Sequence, residues 1–130
     1  MQVSESYQDL ERAQQAAEAL LALDSTDEQL INHVAYLYAE RGVKLEEAQQ
    51  LVINLIKRFS GSQIDNARLA YYEDTLGWIN YKQGKFTEAI NTFQLALKLH
   101  NPEDTDFAII LYYHLGESYY AAGKNELARE

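Results

Sequence analysis

Apolar positions along the chain return at intervals of three and four residues, the spacing that places side chains on one face of an α-helix. "LERAQQAAEALLAL" (Leu10 to Leu23) is built from Ala, Leu, Glu and Gln, all strong helix formers. "EQLINHVAYLYAERG" sets Leu30, Ile31, Val34, Ala35, Leu37 and Tyr38 on a helix that stops at Gly42. Ser25 and Glu28 have the spacing of a capping box in front of it. "LEEAQQLVINLIKRF" follows and ends at "SGS". The pattern then predicts helices over Asn66 to Gln83, stopped by Gly84, and over Phe86 to His100, stopped by "NP". Asn101 as N-cap, with Pro102 in the first helical position, starts a helix to Ala122 that Gly123 stops, and a last one begins near Asn125. No segment alternates with period two, so the fold class is all-α, a succession of antiparallel helical hairpins.

Gly77 sits in the middle of one of these helices, in "DTLGWINYKQGKF". A mid-helix glycine costs about 1 kcal/mol relative to alanine, so it marks either a break or a neighbour packed too close for a side chain. The same Leu-Gly, with a second Gly seven residues on, returns in "YHLGESYYAAGKN". Gly77 to Ala89 and Gly116 to Ala128 are each 12 apart, and Ala35 to Ala48 is 13. Ala13, Ala48, Ala89 and Ala128 follow one another at 35, 41 and 39 residues. A recurring helix–turn–helix unit explains all of these spacings, with Gly77 at the contact between its two helices and Gly84 as the stop.

These residues resemble the tetratricopeptide repeat, a 34-residue helix–turn–helix with a Leu-Gly, a Tyr, an Ala and an aromatic at fixed offsets. The last unit matches at Tyr112, Leu115-Gly116 and Tyr119, and the middle unit at Leu76-Gly77, Ala89, Phe93 and Ala96. The earlier unit carries Val34-Ala35, Tyr38, Ala48 and Val52, and the opening helix carries Ala13, Ala17 and Leu20. The resemblance spans the whole chain: residues 1–27 as a partial unit, mainly its second helix, then 28–62, 63–103 with an extended first helix, and 104–130 as a truncated unit. Relative to 34 residues, seven and five extra fall around "QIDNARL" and "DTDFA", and both stretches predict longer first helices. The chain begins and ends within a unit, like a piece of a longer array. Its wording is similar to C-terminal arrays of bacterial tetratricopeptide proteins, among them lipoproteins linked to export and surface-polysaccharide systems. The resemblance implies a right-handed α-solenoid. Two positions depart from the pattern: Glu73 stands where a large apolar residue is usual, and Asn80 where Tyr is usual. Either Tyr72 and Ile79 take over the packing, or Glu73 and Asn80 pair within the hairpin.

In the family, the first helices of successive hairpins line a concave surface that binds peptides. Carried over by helical spacing, that face presents Asn32, Tyr36 and Ala39, then Tyr71, Asp74, Trp78 and Tyr81, then Tyr113, Glu117 and Tyr120. His114 joins them at a position that other members use with Lys, Arg and Asn to hold a C-terminal carboxylate. Here the corresponding residues are Asn32, Tyr36, Thr75, Ile110 and His114, none a Lys or Arg, so carboxylate-tail capture is disfavoured. The expected ligand is a neutral or basic, apolar-rich segment of a partner protein. Tyr38, Tyr112 and Tyr119 read as packing residues. Tyr36, Tyr71, Trp78 and Tyr120 fit ligand contact and inter-repeat packing equally, with Trp78 the foremost candidate for contact because its indole combines apolar area with one donor.

Composition narrows the rest. Eleven basic against 20 acidic residues give a net charge of −9 with no cationic cluster, which disfavours nucleic acid and anionic membranes. No apolar run reaches the length of a membrane span, and polar "QVSESYQD" after Met1 is not a signal peptide. With no Cys there is no disulfide, thiol nucleophile or cysteine metal site. His33, His114 and Glu117 make only a thin metal triad, and Glu73 and Asp74 point about 100° apart on a helix, which does not suit paired acid–base work. The reading is a non-catalytic interaction module without cofactor, from the cytoplasm or, in a lipoprotein, the periplasm. A structural role, with self-association through terminal helices, is the alternative.

Overall fold

A computed structural model arranges the chain as six helices: α1 (Gln2–Leu23), α2 (Glu28–Arg41), α3 (Leu45–Phe59), α4 (Asn66–Lys82), α5 (Phe86–Leu99) and α6 (Thr105–Arg129). Residues 2–59 and 65–129 are described, with the side chains of 8–59 and 65–124, and there is no strand among them. The "SGS" stop and the first part of "QIDNARL" lie outside the described residues.

Local chemistry sets the helix ends, and two of them differ from expectation. Asp27, not Ser25, caps α2, accepting the Leu30 N–H at 3.1 Å. Asp24 engages Thr26 through its backbone N–H and hydroxyl, so the loop closes two residues before the helix begins. α6 likewise starts three residues later than Pro102. The Asn101 side chain takes the Glu103 N–H and Asp104 takes the Phe107 N–H, so Pro102 sits in a turn and Asp104 is the cap. Gly42 and Gly84 adopt φ of 68° and 81°, the left-handed geometry that reverses the chain. Gly123 does not repeat this: α6 runs through it to Arg129. At Gly84 the reversal lets α5 pack on α4. No described residue packs on Gly116 of α6 as Phe93 packs on Gly77 of α4. α4 spans 17 residues and α2 spans 14.

α2 pairs with α3 and α4 with α5, while α1 packs on α2, α3 on α4 and α5 on α6. α2 also touches α4, and α4 touches α6, whereas α3 and α5 do not meet. The stack therefore closes on the side of the first helices and opens on the other. Its core runs through Val34, Ala35, Ala48, Val52, Ala70, Ile79, Ala89, Phe93 and Leu111. Burying a ring such as Phe93 stabilises the fold by about 1.5–3 kcal/mol.

Gly77 is the contact point of the α4–α5 hairpin. A Cβ built on it would lie 2.6 Å from the Phe93 ring, closer than van der Waals contact allows. Tyr72 and Ile79 are buried and take over the packing at the two departures, Tyr72 lying beside the Phe59 ring. Glu73 and Asn80 do not pair; Asn80 reaches Thr92 of α5 at 3.5 Å. Tyr112 and Tyr119, expected in the core, are 63% and 51% exposed, because among the described residues no helix packs on their face of α6 as α5 packs on α4.

Candidate functional site

The closed side of the stack brings residues of three helices together around Trp78. The Trp78 Nε1–H donates to Glu40 of α2 at 2.7 Å. Its ring stacks on Tyr81 at 4.8 Å and 2°, and on His114 of α6 at 4.2 Å and 20°. The Lys82 ammonium lies 5.1 Å from the same ring. The sequence turned this indole outward, but it is only 7% exposed. α6 approaches closely enough for His114 to cover it, and Glu40 satisfies the one polar atom it would bury.

Beneath it, His114 Nδ1 lies 2.8 Å from Asp74 Oδ1, both residues buried. The His114 ring also neighbours Phe93 at 5.3 Å. A carboxylate and an imidazole that satisfy one another out of water tie α4 to α6 at a fixed register. Tyr36 stands near Glu40 and Asp74, and burial together with those two negative charges pushes its phenol up to about 12. The Tyr81 phenol is raised as well, first by burial and then by Glu117. Both hydroxyls therefore stay protonated at neutral pH and remain donors.

The exposed part of the surface lies on α6. Tyr113 and Tyr120 are 61% and 64% exposed, with half-exposed Glu117 between them. Lys124 sits 5.8 Å from the Tyr120 ring. Asn32 is half-buried, and its side-chain oxygen has no hydrogen-bond partner. Tyr71 stands apart from this group: its hydroxyl donates to Asp104 and its ring packs on Phe107 at 4.3 Å, fastening the α5–α6 turn. That bond raises the Tyr71 phenol and holds the Asp104 carboxyl below its usual range. Ala39, read as part of the groove, is fully buried, and Thr75 is buried with its hydroxyl on the Tyr71 carbonyl.

Glu40 and Lys82 belong to the site and were not read from the sequence. Each follows a groove aromatic, Tyr36 or Trp78, by four residues, the helical spacing that could have found them. His33 is exposed and lines a cleft with Leu20, Leu23 and Leu30 at the α1–α2 end. Among the described residues, no three His, Asp or Glu side chains come together as a metal site. No helix there is long and apolar enough to cross a membrane.

Comparison with known proteins places these helices. Residues 75–100, from α4 through α5, match the model of the tetratricopeptide repeat family. A TPR repeat-containing protein of Pseudomonas aeruginosa is 29% identical over 115 residues, which cover 88% of this chain and 17% of the relative's length. No solved structure matches the chain. The hairpin of α4 and α5, with Gly77 set on Phe93, matches the tetratricopeptide repeat over residues 75–100, and the described chain is an all-α array of helical hairpins around it.

Proposed function

We propose that this chain is a non-catalytic protein-interaction module that takes a segment of a partner on the side formed by α2, α4 and α6. Tetratricopeptide repeats generally mediate contacts between proteins, which supports the reading at the level of class. The observation that carries it here is the placement of exposed Tyr113 and Tyr120, with Tyr36, Tyr81, Glu40 and Glu117, around a closed Asp74–His114–Trp78 framework. Aromatic rings on a rigid support lose little freedom when they bind, and the carboxylates around them favour a neutral or basic, apolar-rich segment. Trp78, Asp74 and His114 act through the shape of this surface, while the tyrosines meet the ligand.

Selection of a random displayed-peptide library against the chain tests this directly. The expected result is enrichment of sequences combining Lys or Arg with aromatic or aliphatic residues. Tyr113→Ala with Tyr120→Ala should weaken those peptides at least tenfold without changing the melting temperature. Enrichment of acidic peptides, or binding indifferent to both substitutions, would count against the proposal. A structural role is the second reading, and the uncovered outer face of α6 is what favours it.

A further inference from the structure

One position recurs on α2, α4 and α6, three residues after Ala35, Gly77 and Gly116: it holds Tyr38, Asn80 and Tyr119. Tyr38 lies between α1 and α3 and is only 4% exposed. Its hydroxyl donates to Glu18 of α1 at 2.5 Å, and the Lys44 ammonium stands 5.3 Å from its ring centre. The Tyr119 hydroxyl accepts from Gln94 of α5 at 2.9 Å. Glu18, Ile53 and Gln94 are equivalent too, each five residues after Ala13, Ala48 or Ala89. The middle unit therefore lacks both halves of the contact, with Asn80 in place of the ring and Ile53 in place of its polar partner. α3 and α5 do not meet there, and a cavity of about 360 Å³ lies between them. Asn80 and Leu76 form its floor, Gln49 and Ile53 one wall, and Asn91 and Thr92 the other.

We propose that this cleft is a docking slot for a tyrosine side chain carried on an extended segment of a partner protein. The array itself identifies the occupant, since a phenol fills the equivalent place one unit earlier. The space suffices, because about 150 Å³ is enough to hold a benzene ring. Ile53 and Leu76 offer the ring apolar contact, and Asn80, 3.5 Å from the Thr92 hydroxyl, sets a polar group where the phenol oxygen arrives. Lys85 lines the cleft four residues before Ala89, as Lys44 stands four before Ala48, so a seated ring meets a cation as Tyr38 does. The cleft continues past Gln49 to Gln83, which donates to Gln49 at 3.0 Å. The Gln83 side-chain oxygen is buried without a partner among the described residues, an acceptor suited to a backbone N–H of the segment. This slot lies on the open side of the stack, away from the surface proposed above, and does not depend on it.

The test uses the whole chain with labelled isoleucine methyl groups and the capped peptide Ala-Gly-Tyr-Gly-Ala. In an NMR titration the Ile53 methyl signal should shift saturably, at least tenfold more weakly for the peptide with Leu in place of Tyr. Asn80→Tyr rebuilds the contact that Tyr38 makes, so it should leave the melting temperature equal or higher and abolish the shift. Asn91→Trp closes the cleft from an exposed position on α5 and should abolish it as well, which keeps the test independent of how Asn80→Tyr folds. Absence of a shift with the Tyr peptide overturns the proposal, as do equal binding of the two peptides and a shift that survives both substitutions. Binding of p-cresol as tight as that of the peptide also overturns it, by assigning the slot to a free phenol.

Discussion

Gly77 and Gly116 each follow a Leu, 39 residues apart, yet their surroundings are opposite. Gly77→Ala forces a methyl into the Phe93 ring and should lower stability by about 1–3 kcal/mol, as overpacking does. Gly116→Ala meets open space and should raise it by up to about 1 kcal/mol, the helix-propensity difference. Thermal unfolding of the two variants side by side checks both signs. Glu73 offers a second residue-scale test. Burial raises its carboxyl above the ordinary value, so the folded state favours the neutral acid. A raised folded value makes its contribution complete below the unfolded value and lost as pH rises through the folded one. Glu73→Gln should therefore melt higher than the parent at pH 7, with the gap closing as pH falls toward 4; a gap constant with pH counts against it. The role of Gly77 was legible because a costly residue needs a local reason. The closure over Trp78 was not legible, because the ring that covers it comes from His114, 36 residues later, and helical periodicity says nothing about how closely two helices approach.

At the level of the helices, α4 is held on both sides, by α5 through Phe93 and by α6 through His114. Asp74→Leu and His114→Phe each leave a polar partner unmatched in a buried place, so their effects should not add. A double-mutant cycle in urea should return a coupling of about 1 kcal/mol or more, and additive effects would mean the pair does not join α4 to α6. Trp78→Ala removes a buried indole and should destabilise by about 3 kcal/mol or more. Weaker ligand binding by that variant therefore reports folding first, and the exposed tyrosines are the cleaner probes. Helix type and order were readable from the three–four spacing. The starts of α2 and α6 were not, because Asp24 and Asn101 form competing turns that move the cap downstream. The stop at Gly123 failed for a different reason: a glycine permits a reversal, but packing of a second helix is what rewards it.

Across the whole molecule, a net charge of −9 sets how the proposed α2–α4–α6 surface should respond to salt. Basic peptides on the α2–α4–α6 side should lose affinity steadily as sodium chloride rises, since exposed charges attract over roughly 8–10 Å and are screened beyond it. Titrations at two salt concentrations check this without any mutation. The succession of hairpins as far as α5 was legible, because repetition multiplies weak local signals. The surfaces were half legible: the residues that face one side could be counted out along a helix, but which of them stay open to solvent depends on neighbours from other units. Trp78 turns that dependence into a measurement. It is the chain's one tryptophan, and it is sealed by side chains from α2, α4 and α6 at once. Its emission is therefore a built-in gauge of the spacing between units, and anything that opens or tightens the array can be followed optically without a label.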